Sequence, residues 1–404
     1  MSVRKRTWKA AEGVEKTAWV VNYTDQAGKR RLKTFDKKKA ADDFDATVRN
    51  EVQAGIHTPD RASVTVGEAG DRWLASCESI GLERTTIDAY RSHLDLHIKP
   101  FLGARKLSQL TVPMITDFER KLRDGTETEK PRSAAMVKRV RADLGSLLAN
   151  AQEEGLVARN VVREVRAKRR RGKERQAERR AKPKLRVGVD IPTPLEIRAI
   201  VGVLQGKWRP LFLTVIFTGL RASELRGLRW VNVDLAKREL HVRERADEYN
   251  QLGRPKSESG ERSIPLPPVV VSALREWKLQ CPKTELGLVF PSPVEDVEII
   301  GRDYIVKRGL WPAHIAAGIT KIGKDSNGKV TDVAKYPGLH SLRHFFASWC
   351  INRKVDGGLE LPPKVVQERL GHSTIAMTLD IYGHLFPRHD DSEELAAAEK
   401  ALLG

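Results

Sequence analysis

The stretch Leu370-Gly371-His372-Ser373-Thr374-Ile375-Ala376-Met377-Thr378-Leu379-Asp380-Ile381-Tyr382-Gly383-His384 sets a tyrosine ten residues beyond a Gly-His pair. Gly371 suits a helix end, and Ser373 or Thr374 can start the helix that follows. Taken alone, the pair is a capped helix with a packed imidazole, and Tyr382 is a core residue. Two stretches upstream change that reading. Leu339-His340-Ser341-Leu342-Arg343-His344 carries a histidine and an arginine at i and i+3, one helical turn apart on one face. Thr218-Gly219-Leu220-Arg221-Ala222-Ser223-Glu224-Leu225 has a glycine for a sharp turn, an arginine at the mouth of the next helix, and Glu224 spaced to hold its guanidinium.

Two arginines, two histidines and a tyrosine in this order are the parts of a phosphate clamp with a nucleophile. Breaking a phosphodiester without a metal requires neutralised non-bridging oxygens, an in-line nucleophile and an acid for the leaving oxygen. The planar fork of arginine holds two phosphate oxygens at once. Histidine exchanges a proton near neutrality. A rival use of His340 and His344 is metal ligation, because i, i+4 histidines can share a cation. No Glu or Cys stands between them and Arg343 repels a cation, so no metal is assigned and His344 is read as structural.

The composition points to the same partner. Lys and Arg number 72 against 53 Asp and Glu in 404 residues, a net charge of +19. Such an excess favours a polyanion, nucleic acid first. Cys77, Cys281 and Cys350 lie far apart with no Cys-x-x-Cys spacing, which excludes a disulfide framework or zinc ribbon. The basic start Met1-Ser2-Val3-Arg4-Lys5-Arg6 precedes no apolar stretch and is not a signal peptide. No apolar run reaches the ~20 residues of a membrane span. A cytoplasmic, nucleoid-associated protein without membrane contact is expected.

The chain is long enough for several cores. Trp19 to Tyr23 and Arg30 to Phe35 are β-like runs around the turn Asp25-Gln26-Ala27-Gly28, and a helix is expected from Lys37 to about Gln53. Beyond a linker at Gly55 to Ser63 come helical patterns over Val66–Ser79, Arg84–His97, Val112–Arg123 and Ser133–Glu154. Ile87, Tyr90, Leu94 and Ile98 share one helical face. Residues 163–186 hold 13 Lys/Arg and three Glu, Arg169, Arg170 and Arg171 among them. A basic strap of this kind can track phosphates. From Ile191 a larger mixed unit begins: a helix capped by Thr193 with Pro194 at its first position, a buried helix from Trp208 to Thr218, strands over Arg238–Arg243 and Arg262–Leu266, and a tail helix over Asp391–Leu403. The fold class is α+β and multidomain: a small N-terminal three-stranded sheet plus helix, a helical domain, and a mainly α domain with a small antiparallel sheet.

This constellation resembles the catalytic set of tyrosine recombinases, the phage-integrase family. The ten-residue spacing with Met377-Thr378-Leu379-Asp380 is similar to the temperate-phage branch. The resemblance covers nearly the whole chain and implies a boundary scheme: an arm-type DNA-binding domain at 1–58, a helical core-binding domain at 62–160, a basic linker at 161–190 and a catalytic domain at 191–404. Lys29, Arg30, Arg31 and Lys33 would then meet DNA.

It implies a mechanism as well. Arg221, His340, Arg343, His372 and Tyr382 would be catalytic, with Glu224 supporting. Lys256, in Arg254-Pro255-Lys256-Ser257-Glu258-Ser259-Gly260-Glu261-Arg262-Ser263, would be the general acid. Tyr382 would form a 3′-phosphotyrosine link, His340 would handle its proton, and no cofactor would be needed. The implied partners are double-stranded attachment-site DNA, a homo-tetramer on DNA, an excisionase and a host DNA-bending protein. Integration or excision of a prophage or other mobile element is the expected function. A type IB topoisomerase-like enzyme, or a catalytically inactive DNA-binding protein, is the alternative. The segment 293–336 receives no role.

Overall fold

Alternation along the first strands decides how the N-terminal sheet is used. The structure is a computed structural model, and it describes residues 2–9, 15–25, 28–53, 63–127, 129–165, 184–255, 257–324, 328–387 and 391–403. Strands β1 (Ser2–Lys9), β2 (Glu15–Thr24) and β3 (Arg30–Phe35) form an antiparallel sheet in that order. Helix α1 (Lys38–Gln53) closes one face, packing Ala41, Phe44 and Val48 on Trp19, Val21, Tyr23 and Phe35.

Side chains alternate between faces along a strand, so Arg31, Lys33 and Phe35 share the helix-covered face. Arg31 donates to the Asp25 carboxylate at 2.7 Å, and the Lys33 ammonium lies 4.5 Å from the Phe44 ring centre. Lys29 and Arg30 are exposed. The opposite face is extended by β1, whose pairing sets Arg4 beside Val20 and Arg6 beside Ala18, while Arg30 pairs with Thr24. Of the four basic residues expected to point at DNA, two are therefore tied down within the domain. Arg4 and Arg6 join Arg30 on the open face in their place.

The helical part follows its periodicity closely. Helices α2 (Val66–Ser79), α3 (Arg84–His93), α4 (Lys99–Leu102), α5 (Val112–Asp124), α6 (Ala134–Glu153) and α7 (Val161–Glu164) enclose a core around Trp73, Leu94, Ile98, Phe118, Leu144 and Leu148. Thr65 and Glu68 form a reciprocal capping box at the start of α2. A π turn over Leu94–Ile98 joins α3 to α4. Val161 and Val162 are buried in this same core and Asn160 caps their helix, so residues placed in the linker by sequence continue the helical domain.

The chain divides into two compact units, Met1–Arg175 and Gln176–Gly404. Arg169, Arg170 and Arg171 lie outside the described residues, and so does Lys256.

In the second unit, Thr193 and Glu196 form the capping box of α8 (Pro194–Val203), as the Thr-Pro pair predicts. Helix α9 (Trp208–Thr218) is buried nearly throughout and ends at Gly219, with φ 62° and ψ 26°; α10 (Ala222–Arg226) follows at once. Strands β4 (Val233–Asp234), β5 (Glu239–Val242) and β8 (Arg262–Pro265) make an antiparallel sheet, and β6 (Arg245–Ala246) and β7 (Leu252–Gly253) a separate ribbon between β5 and β8.

Helices α11 (Pro268–Gln280), α12 (Arg302–Ile305) and α13 (Trp311–Ala316) and the ribbon β9 (Thr320–Lys324) and β10 (Val330–Ala334) lead to α14 (His340–Ile351). Helices α15 (Pro363–Leu370), α16 (Ile375–Tyr382) and α17 (Asp391–Leu403) complete the chain. Just before α14, Lys335 and Tyr336 both bond the Glu196 carboxylate, at 2.6 and 2.8 Å, anchoring the 293–336 segment to α8. Among the described residues no helix is long and apolar enough to cross a membrane.

Gly219 has two reasons to be glycine. Its φ is left-handed, and a Cβ there would stand 2.3 Å from the Phe346 ring. Gly219→Ala is expected to cost about 2–4 kcal/mol, from backbone strain plus overpacking. Urea unfolding checks this; an unchanged midpoint would show that the corner tolerates a side chain.

Candidate active site

Two helix ends converge on one guanidinium. Arg343, on the second turn of α14, is 2% exposed and donates to the backbone carbonyls of Gly219, at the end of α9, and Leu370, at the end of α15. Both carbonyls belong to helix-terminal corners, and Gly219 and Gly371 both adopt left-handed backbone. Burial, then the neighbouring Arg221 charge, pushes Arg343 down to about 9 while Glu224 acts against them, so it stays charged at neutral pH.

Arg221 caps α10 and is held from two sides. Its Nη1 donates to Glu224 Oε1 at 2.7 Å and its Nη2 to the Gly371 carbonyl at 2.9 Å. Its side chain is 38% exposed, so the fork stays within reach of a ligand. Glu224 supports Arg221 as the i+3 spacing predicts, but it is shared. Arg262, on β8, donates to both Glu224 carboxylate oxygens, at 3.1 and 2.8 Å, and to the carbonyls of Arg369 and Gly260. Arg262 is a residue that sequence reasoning missed: it ties the hairpin to α10 and to the end of α15. A Cβ on Gly371 would meet Arg262 Nη1 and the Ser259 carbonyl at 2.9 Å, which keeps that corner a glycine.

Tyr382 ends α16 and is 1% exposed. Burial pushes its phenol up to about 12, against the pull of Arg343 and Arg221. The His372 ring lies parallel to the Tyr382 ring, 6.3 Å between centres, and its Nδ1 faces Thr378 Oγ1 at 2.9 Å. Burial, then the charges of Arg343, Arg221, Arg262 and His340, holds His372 at about 4, a neutral imidazole.

His340, at the start of α14, is solvent-accessible. Desolvation on its protein side, then Arg343 and Arg221, lowers its pKa. The Tyr382 hydroxyl meets a different histidine. His344 Nδ1 lies 2.7 Å from Tyr382 Oη, whereas His340 packs edge-on against His344 with ring centres 4.5 Å apart. The sequence reading made His344 structural, and here it is the hydrogen-bond partner of the tyrosine.

Beside Arg221 and His340 opens a cleft of about 590 Å3 whose wall also carries Arg302, Lys307 and Trp311. Among the described residues, Arg221, Arg262 and Arg343 converge on the Glu224 carboxylate, so the balance there is cationic and the forks suit an oxyanion. The structure thus brings Arg221, Glu224, Arg343, His340, His372 and Tyr382 together and adds Arg262 and His344; Lys256 lies outside the described residues.

The Phage integrase family model matches residues 194–389, and the phage integrase N-terminal SAM-like domain matches residues 65–123, together well over half the chain. A tyrosine recombinase XerC-like protein of Caldanaerobacter subterraneus is 26% identical over 384 residues, covering 90% of each chain. The ICEBs1 integrase of Bacillus subtilis is 23% identical, with 87% of each chain covered.

Among solved structures, the Tn1549 transposon integrase in complex with a circular intermediate DNA shares the fold at a TM-score of 0.58 and 17% identity, covering 84% of this chain and all of that one. A lambda integrase tetramer bound to a Holliday junction does so at 0.56 and 18%, covering 95% and 96%. The chain belongs to the phage integrase family and is a tyrosine-type site-specific recombinase.

Glu224 gives the site an acid-sensitive support. Desolvation alone would raise its carboxyl, but the hydrogen bond and charge of Arg262, then Arg221, hold it at about 2. A carboxyl lowered from 4.5 contributes its stability above the unfolded-state value and loses it as pH falls toward about 2. Glu224→Gln is therefore expected to be less stable than the unmodified protein at pH 7, with the gap narrowing as pH falls from 4.5 to 2. Denaturant unfolding across that window checks this, and a gap constant with pH would contradict it.

Proposed function

We propose that this recombinase cuts and rejoins double-stranded DNA at attachment sites, integrating or excising a prophage or other mobile element. The observation that carries the reading is the buried Tyr382, whose phenol feels the charges of both Arg343 and the half-exposed Arg221, two guanidinium groups anchored on the same α15 corner at Leu370 and Gly371. In this reading the two guanidinium forks hold the non-bridging oxygens of the scissile phosphate, and Tyr382 Oη attacks in line. The 3′ phosphate becomes linked to Tyr382 and a 5′ hydroxyl is released. His372, neutral, donates a hydrogen bond to the phosphate. Lys256 is the general acid for the 5′ oxygen by family resemblance. Because the covalent link conserves the bond energy, neither nucleotide nor metal is needed.

The helical domain at 62–160 is assigned the core site. The N-terminal sheet is assigned a second, arm-type DNA site read by its open face of Arg4, Arg6 and Arg30, and the basic run at 163–186, which links the helical and catalytic domains, the duplex backbone. Assembly on DNA is a homo-tetramer, with an excisionase and a host DNA-bending protein as helpers for directionality, on the nucleoid.

The direct test uses a nicked duplex bearing a site selected from a random-sequence pool by binding. The wild type is expected to give a covalent protein–DNA band on a denaturing gel, and Tyr382→Phe none. Relaxation of plasmid lacking the site points instead to a topoisomerase, and salt-sensitive binding without any adduct to an inactive DNA-binding protein. Replacing Arg4, Arg6 and Arg30 by glutamate is expected to weaken binding of the N-terminal sheet's DNA and flatten its salt dependence, with core-site cleavage kept. Gel shifts at two salt concentrations read this, and unchanged binding would move the DNA face elsewhere.

A further inference from the structure

We propose that His344 is a catalytic residue, the group that takes the proton of Tyr382 when the tyrosine attacks and returns it on rejoining. The proposal rests on the phosphotyrosine reading above and assigns the proton to the imidazole that touches the nucleophile. His344 Nδ1 stands 2.7 Å from Tyr382 Oη, and their rings meet at 64°. An unshared nitrogen pair accepts a hydrogen bond from a hydroxyl at this distance. His340, more exposed and one turn earlier, contacts the His344 ring rather than the hydroxyl.

The environment keeps His344 ready to accept. Burial, then the charges of His340 and Arg343, holds it at about 4, with Asp190 acting in the other direction. It is thus a neutral acceptor across the physiological range, though a weak base in the free protein. A phosphate diester held by Arg221 and Arg343 brings negative charge beside both, and an anion at close range raises a histidine pKa. Base strength then increases when substrate is bound.

The step balances. The Oη–H proton moves to His344 Nδ1 as the Oη–P bond forms. The P–O5′ bond breaks with its electron pair on O5′, which takes a proton from the general acid. In the reverse direction the 5′ hydroxyl attacks and the His344 proton returns to Oη. No oxidant, reductant or metal enters.

The charged and titratable groups around His344 are His340 and Arg343 on its own helix, Asp190 from the segment before α8, and Tyr382 on α16, with His372 on the far side of the tyrosine. The test compares wild type, His344→Phe, His344→Asn and His340→Asn. It measures single-turnover adduct formation on the nicked duplex from pH 4.5 to 9, with binding and thermal melting of each variant as controls. His344→Phe is expected to form adduct at least ~100-fold more slowly, the lower range for losing a general base, while binding DNA normally.

In wild type the rate should fall on the acid side as His344 protonates. That limb should vanish in His344→Asn, which keeps a hydrogen-bond acceptor but cannot titrate, and persist in His340→Asn. Should His344→Phe fail to fold, the Asn variant decides. Adduct formation by a folded His344 variant within about threefold of wild type, or an acid limb that follows His340 instead, overturns the assignment and leaves the phosphotyrosine reading standing. Absence of adduct from wild type itself overturns both.

Discussion

One buried arginine organises the catalytic unit. Arg343 has almost no solvent contact, and both of its hydrogen bonds run to backbone carbonyls at the ends of other helices. A guanidinium in such a place is costly unless its donors are satisfied. The fold satisfies them by bringing two left-handed glycine corners to it. Those corners carry Arg221 and His372 on the residues that follow. The arrangement that makes Arg343 tolerable in the core therefore also delivers the rest of the site.

The charge balance follows from the same geometry. Glu224 serves two arginines, Arg221 at the cap of its own helix and Arg262 from the sheet, and is buried while doing so. Its carboxylate fixes the orientation of one fork and joins hairpin to helix, but it cannot neutralise three guanidinium groups. Histidines in this field stay neutral: His340, His344 and His372 are all shifted downward, by burial first and the arginines after. A site of neutral imidazoles and surplus arginine charge is prepared for an anion that supplies the missing negative charge, as a phosphodiester does.

Much of this was legible in the sequence, and the exceptions have physical causes. Helices over Val66–Ser79 and Trp208–Thr218 fall where apolar spacing puts them, and Thr193 and Pro194 start α8 because capping is a local interaction. The i+3 link of Glu224 to Arg221 is local too. Arg262 stood within the quoted hairpin, yet nothing in its neighbourhood says that its partner lies on another element.

The contact of His344 with Tyr382 was illegible for a similar reason: the two are 38 positions apart. A three-stranded sheet was expected, but β1 was not placed, because Arg4, Lys5 and Arg6 read as a charged start rather than as part of a strand. The period-two alternation that would have withdrawn Arg31 and Lys33 from the open face was present in the sequence and went unused.

The central claim, that Tyr382 is the nucleophile of a phosphate clamp built around Arg343, has one direct measurement. Protein trapped on a nicked duplex is digested with protease and nuclease, and the nucleotide-bearing peptide is sequenced by mass spectrometry. The account predicts a 3′-nucleotide mass on Tyr382. A nucleotide on any other side chain would contradict it.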